Sequence, residues 1–252
     1  MLIMSLLASC AFAQRVVSLL PSATYMAVQM GADAHIVGRT SYCPAPAAGG
    51  KSTIVGDAMT VNVEAIVALS PDVVIASPFT SKAVVDKLSA LRIRVRQLPT
   101  PKDFDEICSQ TIVVGRLLGC EAQARQLVER ERGAVDGILA GLRRGGSLGF
   151  YIQIGVNPLW GATPDYYIGD LISRLGGRNV LAVGEGACSR ESIVARAPGV
   201  IVVSSLGGLG EGEAAEWRRL TKARVVVVDE SELCCPTPVF FRKSLKSIAD
   251  AL

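Results

Sequence analysis

The sequence predicts an α/β chain of two lobes, each a parallel sheet covered by helices, joined by a single long α-helix. Three observations carry this. Half of the 252 residues are apolar yet only 5% are aromatic. The surplus is therefore Val, Ile, Leu and Ala, the mixture found in strands buried on both faces. Midway along the chain, residues 121–144 read EAQARQLVERERGAVDGILAGLRR, with Ala124, Leu127, Val128, Val135, Ile138, Leu139 and Leu142 at three-and-four spacing, one apolar stripe along a helix. Such a helix spans on the order of 36 Å, the height of a small domain. Short strands and helices alternate on both sides of it, in similar numbers. The expected organisation is an export segment over 1–13, an N-terminal lobe over 15–120, the connecting helix over 121–144 and a C-terminal lobe over 146–252, with function between the lobes.

Residues 1–13, MLIMSLLASCAFA, are uncharged and apolar and end in Ala11-Phe12-Ala13, a small-x-small cleavage site of a signal peptide. Leu7-Ala8-Ser9-Cys10 also resembles a lipobox, which would leave a lipid on Cys10. Cleavage after Ala13 is preferred, because the tether from Cys10 to the first strand is so short. Residues 15–19 (RVVSL) form a β-branched strand, followed by a loop through Ser22 and a helix over 23–30 that stops at Gly31. Strand 36–38 leads into a loop over 39–53 that carries Tyr42 and Cys43. Asn62 caps a helix to residue 69, and 72–76 (DVVIA) is a buried strand. Helix 81–91, strand 93–98 and helix 102–118 complete the lobe, the last helix starting at Thr100-Pro101 with Asp103 in its first turn. Along the connecting helix, Glu121 with Arg125 and Arg132 with Asp136 are spaced as i,i+4 ion pairs. Strand 147–154, helix 165–175, a Ser189-capped helix to 196, strand 199–204, helix 213–222, strand 224–229 and helix 240–252 follow.

A repeat relates the lobes. VNVEAIVALSPDVVIAS (61–77) aligned with CSRESIVARAPGVIVVS (188–204) matches Glu64 with Glu191, Ile66 with Ile193, Val67 with Val194, Pro71 with Pro198 and Val73 with Val200. Each segment reads as a capped helix, a proline turn and a buried strand. Glu64 and Glu191 thereby take equivalent first-turn positions, where an acid also complements the helix dipole.

Composition and motifs exclude several functions. The net charge is only +3, with no basic block, so nucleic-acid binding is not expected. APAAGGKS (45–52) lacks the strand and helix that frame a phosphate loop, and GGLGEG (207–212) lacks dinucleotide spacing. The single histidine, His35, supplies neither a nucleophilic triad nor a multi-histidine metal site. Of the seven cysteines, Cys234-Cys235 lie between two prolines and a strand end, where doubly wound folds place ligand loops, and Cys43 and Cys188 lie on comparable loops. A disulfide, buried thiols and a thiolate set for a soft metal all remain open. Tyr42, Phe79 and Trp160 follow strands as ligand platforms would.

RVVSLLPSATYMAVQMGADAHIVGRTSYCPAP, VNVEAIVALSPDVVIAS, GFYIQIGVNPLW and LISRLGGRNV together resemble the periplasmic substrate-binding proteins of ABC importers for iron-siderophores, haem and cobalamin. The likeness covers nearly all of the chain from Arg15 and is strongest toward the cobalamin-binding members. It implies two Rossmann-like lobes bridged by one rigid helix, no catalysis and no required cofactor. It also implies a metal chelate (corrinoid, haem-like or ferric siderophore) held in the interlobe cleft, and a monomer in the periplasm or on the outer membrane face that delivers to a permease and its ATPase. Glu64 and Glu191 fall on the positions that dock on permease arginines, and Tyr42 matches a cobalamin-contacting tyrosine. Three further cleft aromatics of those members correspond to Ala58, Ser77 and Glu185, and a basic contact to Cys235. The candidate ligand set is Ser22, Tyr42, Cys43, Met59, Phe79, Trp160, Cys234 and Cys235. The competing expectation is an exported thiol redox protein or a direct soft-metal carrier using the cleft cysteines.

Overall fold

A computed structural model of the chain describes residues 14–46, 51–57, 60–142 and 148–252. The export segment, Cys10, Ala58, Met59 and the last two residues of the expected connecting helix, Arg143 and Arg144, lie outside the described residues. In the first lobe β1 (Val16–Ser18), α1 (Pro21–Gln29), β2 (Ile36–Thr40), β3 (Thr53–Gly56), α2 (Val63–Ala68), β4 (Val73–Ala76), α3 (Lys82–Ala90) and β5 (Arg94–Gln97) build a five-stranded sheet, ordered β3-β2-β1-β4-β5 and parallel throughout. α4 (Phe104–Leu117) and α5 (Glu121–Gly141) follow. The second lobe comprises β6 (Gly149–Val156), β7 (Leu159–Gly161), α6 (Tyr167–Arg174), β8 (Arg178–Asn179), α7 (Arg190–Ala195), β9 (Val200–Ser204), α8 (Gly210–Leu220), β10 (Arg224–Val228), α9 (Glu230–Cys234) and α10 (Pro238–Ala249). Here β10, β9 and β6 run parallel, β8 pairs in parallel beside the start of β6, and β7 folds back antiparallel on its end. The all-buried runs VVIA in β4 and VIVVS in β9 account for the paired sheets.

The repeat holds at the level of backbone detail. In the register of the sequence match α2 lies on α7, β4 on β9, and the caps Asn62 and Ser189 coincide, each accepting a backbone N–H from the first helical turn. After both helices a non-glycine residue, Ser70 or Ala197, adopts the left-handed region with φ 46°, closing the helix ahead of the proline turn.

α5 buries Ala124, Leu127, Val128 and Val135 as the stripe predicts, while Ile138 and Leu139 are partly buried. The centre of that stripe holds a surprise, the buried Glu131, whose carboxylate accepts from Arg130 at 2.9 Å and from Arg242 of α10 at 2.5 Å. Glu121 pairs with Arg125 as spaced, but Arg132 turns to Asp105 of α4 at 2.5 Å instead of along its own helix. Nor does α4 start at Thr100. Asp103 is its N-cap, accepting from the Glu106 N–H at 2.7 Å, while the Glu106 carboxylate accepts from the Lys102 N–H, so two carboxylates each satisfy one backbone donor at the helix start.

The α4–α5 pair lies across both cores. Phe104, Ile107 and Cys108 of α4 pack with Val128 and Val135 of α5 against the second lobe, and Val114 and Leu117 pack with Ala124 and Leu127 against the first. α10 then returns to this pair, stacking Phe241 on Phe104 at 4.6 Å and setting Phe240 edge-on to Tyr25 of α1 at 4.8 Å. Among the described residues no helix is long and apolar enough to cross a membrane.

Candidate ligand cleft

The carboxyl ends of both sheets face one cavity of about 1060 Å³ between the lobes. The first lobe lines it with the turns after β1 to β5, including Ser22, Tyr25, Thr40, Tyr42, Asp57 and residues 77–81. From the second lobe come Ile154, Trp160, Asp165, Tyr166, Tyr167, Gly186, Glu230, Ser231, Cys234 and Cys235. This is where parallel α/β folds gather ligand groups, because the turns leaving the strands converge there.

Four aromatic side chains stand exposed on the walls: Tyr42 (67%) and Phe79 (84%) from one lobe, Trp160 (45%) and Tyr166 (44%) from the other. Each is placed by local backbone chemistry. A tight turn, with Cys43 N–H donating to Thr40 O, puts Tyr42 into the cavity and Cys43 behind the wall. There the Cys43 thiol is buried, 3.2 Å from Thr40 Oγ1. Phe79 sits on a loop whose Ser77 Oγ accepts from the Phe79 N–H and whose Thr80 Oγ1 accepts from the Ser77 N–H, a side-chain-stabilised turn. Trp160 rides on the β6–β7 hairpin, which turns at the cis Asn157-Pro158 peptide, with its indole laid on Gly186, where a Cβ would come within 2.5 Å of the ring.

The floor is held by contacts that join the lobes. Tyr25 donates to Ser231 Oγ at 3.0 Å, and the Phe104 N–H donates to Asp170 Oδ2 at 2.9 Å. Tyr167 links Pro101 O through its N–H and Leu233 O through its hydroxyl. Cys234 is exposed and Cys235 half-buried, and both are free thiols, as is every described cysteine. Desolvation by the surrounding walls, with Glu230 and Asp229 adding to it, pushes Cys234 up to about 11, and Cys235 is raised to about 12 by burial, Cys234 and the same acids. Raised thiols are slow nucleophiles, so attack on a disulfide is disfavoured at both positions. Among the described residues no cluster of His, Cys, Asp and Glu could hold a metal ion. The charged side chains on the described lining are Asp57, Asp165 and Glu230, with no Lys or Arg among them.

Of the predicted ligand set, Ser22, Tyr42, Phe79, Trp160, Cys234 and Cys235 meet in this cavity. Tyr25, Tyr166, Asp165 and Glu230 join them without having been singled out. Tyr166 carried a signal, standing beside Tyr167 just before a helix, whereas nothing local distinguishes Tyr25 from a core residue. Glu64 and Glu191 lie away from the cleft, exposed in the first turns of α2 and α7. A 2.8 Å ion pair with Lys87 holds Glu64 below the usual carboxylate range, and hydrogen bonds from backbone N–H and the Ser189 hydroxyl do the same for Glu191.

A family model described as "Periplasmic binding protein" matches residues 16–226. A curated relative, the vitamin B12-binding protein of Yersinia pestis (strain Pestoides F), is 29% identical over 222 residues, covering 86% of this chain and 79% of the relative. Among solved structures, the periplasmic vitamin B12 binding protein BtuF of Vibrio cholerae superposes with a TM-score of 0.81 at 21% identity, covering 95% of this chain and 96% of that one. The periplasmic haem binding protein HutB of Vibrio cholerae gives 0.79 at 18% identity, over 94% and 98% of the two chains.

Proposed function

The chain belongs to the periplasmic binding protein family, solute-binding subunits of ABC importers that act outside the cytoplasm, and from that premise we propose that it captures a tetrapyrrole-type metal chelate, a corrinoid or haem-like molecule, and delivers it to a membrane permease. The observation that carries this reading is the set of four exposed aromatic rings, two from each lobe, around one large cavity. Exposed rings retain unburied apolar area that a broad, flat ligand would cover, and the volume lies at the upper end of small-molecule sites. Ser22, Cys234 and Cys235 contribute polar contacts on the same walls, and Cys43 supports the Tyr42 turn from behind. Relatives named for vitamin B12 and for haem agree with a ligand of this kind.

The test is titration of purified protein, by calorimetry and absorbance, with corrinoids, haemin and ferric siderophores. One chelate per chain is expected, and no binding across the whole set would remove the reading. The raised thiols of Cys234 and Cys235 weigh against thiol redox attack as the alternative.

Docking is assigned to Glu64 and Glu191. The repeat gives each an exposed valine three residues on, Val67 (41%) and Val194 (38%), so each lobe presents the same acid-and-apolar pair on one helix face. Reversing both charges should abolish permease binding and spare ligand affinity. The mature chain is proposed to begin after Ala13 rather than at a lipid-bearing Cys10, which intact mass of the exported protein decides.

A further inference from the structure

The sign of the cleft is opposite to that of the chain. The whole sequence carries a net charge of +3, yet the described lining presents three carboxylates and no basic side chain. Asp165 and Glu230 come from the second lobe, while Asp57 of the first is engaged within its own loop, so the negative charge that a ligand between the aromatic walls meets comes from the second lobe. Arg39, on the strand leading to Tyr42, is turned to other uses, donating to the backbone oxygens of Thr40 and Cys43 and to Ser52 Oγ. Walls of low dielectric constant strengthen and focus such a field inside a cleft. Acids placed there accept hydrogen bonds from amide N–H groups and stabilise a cation, while a carboxylate of the ligand would face like charge without a counter-ion.

We propose that the cleft selects metal chelates without net negative charge and favours cationic ones, taking corrinoids, and best of all a cationic corrinoid that lacks the phosphodiester tail, ahead of carboxylate-bearing chelates such as haem. This rests on the reading of the cleft as a chelate site. The experiment compares aquocyanocobinamide (cationic), cyanocobalamin (neutral overall) and haemin (two carboxylates) by absorbance titration at low and high salt, using the wild-type protein and the Asp165→Asn, Glu230→Gln double variant. Asp57 is left intact because its Oδ1 also accepts the Thr60 N–H. Both corrinoids should bind more tightly than haemin. Salt should weaken cobinamide more than cobalamin, since only a net cation gains from the field over a distance that salt screens. The double variant should lose about tenfold in cobinamide affinity and gain in haemin affinity, with cyanocobalamin little changed, the size expected from removing charge beside a ligand in a partly wet cleft. Haemin binding tightest, or a double variant that leaves all three affinities in the wild-type order and spacing, would overturn the charge inference while keeping the chelate reading. No binding of any of the three at either salt concentration would remove both.

Discussion

At the residue scale the cleft depends on where a few rings are held, and Trp160 is the best test because Gly186 lies directly beneath it. Trp160→Ala should cost about 2 kcal/mol of chelate binding, roughly thirtyfold in Kd, from lost ring contact. Gly186→Ala should push the exposed indole off its seat, shifting the Trp160 emission and weakening binding with little loss of stability, since the ring can swing into open space. Trp217 provides the internal control, fully buried and donating to Gln153 Oε1 at 2.6 Å. Unchanged affinity in both variants would take Trp160 out of the site. The thiols give a pH prediction. A thiol raised to about 11 is protonated below that pH, so alkylation of Cys234 in a Cys235→Ser background should run on the order of ten- to a hundredfold slower than an ordinary thiol at pH 7.5. It should keep rising above pH 10, where an unperturbed cysteine has levelled off. A plateau by pH 10 would contradict the raised thiol. Tyr42, Phe79 and Trp160 were legible in the sequence because each follows a strand and lies near a proline, a glycine or a polar turn. The burial of Cys43 was not, since one residue along a turn reverses the direction a side chain faces.

At the scale of elements, local signals survived where the chain satisfies its own backbone and failed where a partner far in sequence decides. Asn62 and Ser189 cap the helices they were expected to cap, as cap, helix turn and proline lie within ten residues of one another. β3, β7 and β8 were missed because short edge strands exist only by pairing with β2 or β6. Arg132 chose Asp105 over Asp136 because α4 packs alongside α5. The two helices to which docking is proposed differ in the same way. Lys87 of α3 occupies Glu64, whereas α7 is pinned from below, Arg190 reaching Glu213 of α8 at 2.7 Å, which in turn accepts from Gln153. On the docking proposal, a permease cation would compete with Lys87 at Glu64 only. Lys87→Ala should tighten permease binding and leave thermal stability almost unchanged, because exposed ion pairs contribute little. Reversing Glu191 alone should weaken docking more than reversing Glu64 alone. Affinity for the permease in nanodiscs, read at two salt concentrations, checks both, and equal effects from the two reversals would remove the asymmetry.

At the scale of the molecule, the long helix seen in the sequence is half of the bridge. α4 runs beside it, both helices pack into both cores, and α10 closes the spine from the chain's far end. That arrangement leaves little freedom for the lobes to swing, because bending the spine would open packed apolar surface on each side. The coupling point is Glu131, the one acid on the buried face of α5, held by Arg242. A carboxylate in that position is costly unless its partners stay in place. Arg242→Ala should therefore destabilise the protein by about 3 kcal/mol, since Arg130, largely exposed, remains as the other partner of a buried charge. Glu131→Leu with Arg242→Leu should recover much of that loss by replacing the pair with apolar contact. Guanidinium unfolding followed by far-UV circular dichroism of Glu131→Leu, Arg242→Leu and the double variant closes the cycle, and a coupling of about 1 kcal/mol or more is expected for residues in contact. If the two single losses simply add, Arg242 and Glu131 act independently and α10 is a packed cover rather than the clasp of the spine. If they couple, the same pair should govern lobe motion. Small-angle scattering of the wild type should then be nearly the same with and without chelate, while Arg242→Ala should expand in the ligand-free state and contract on binding.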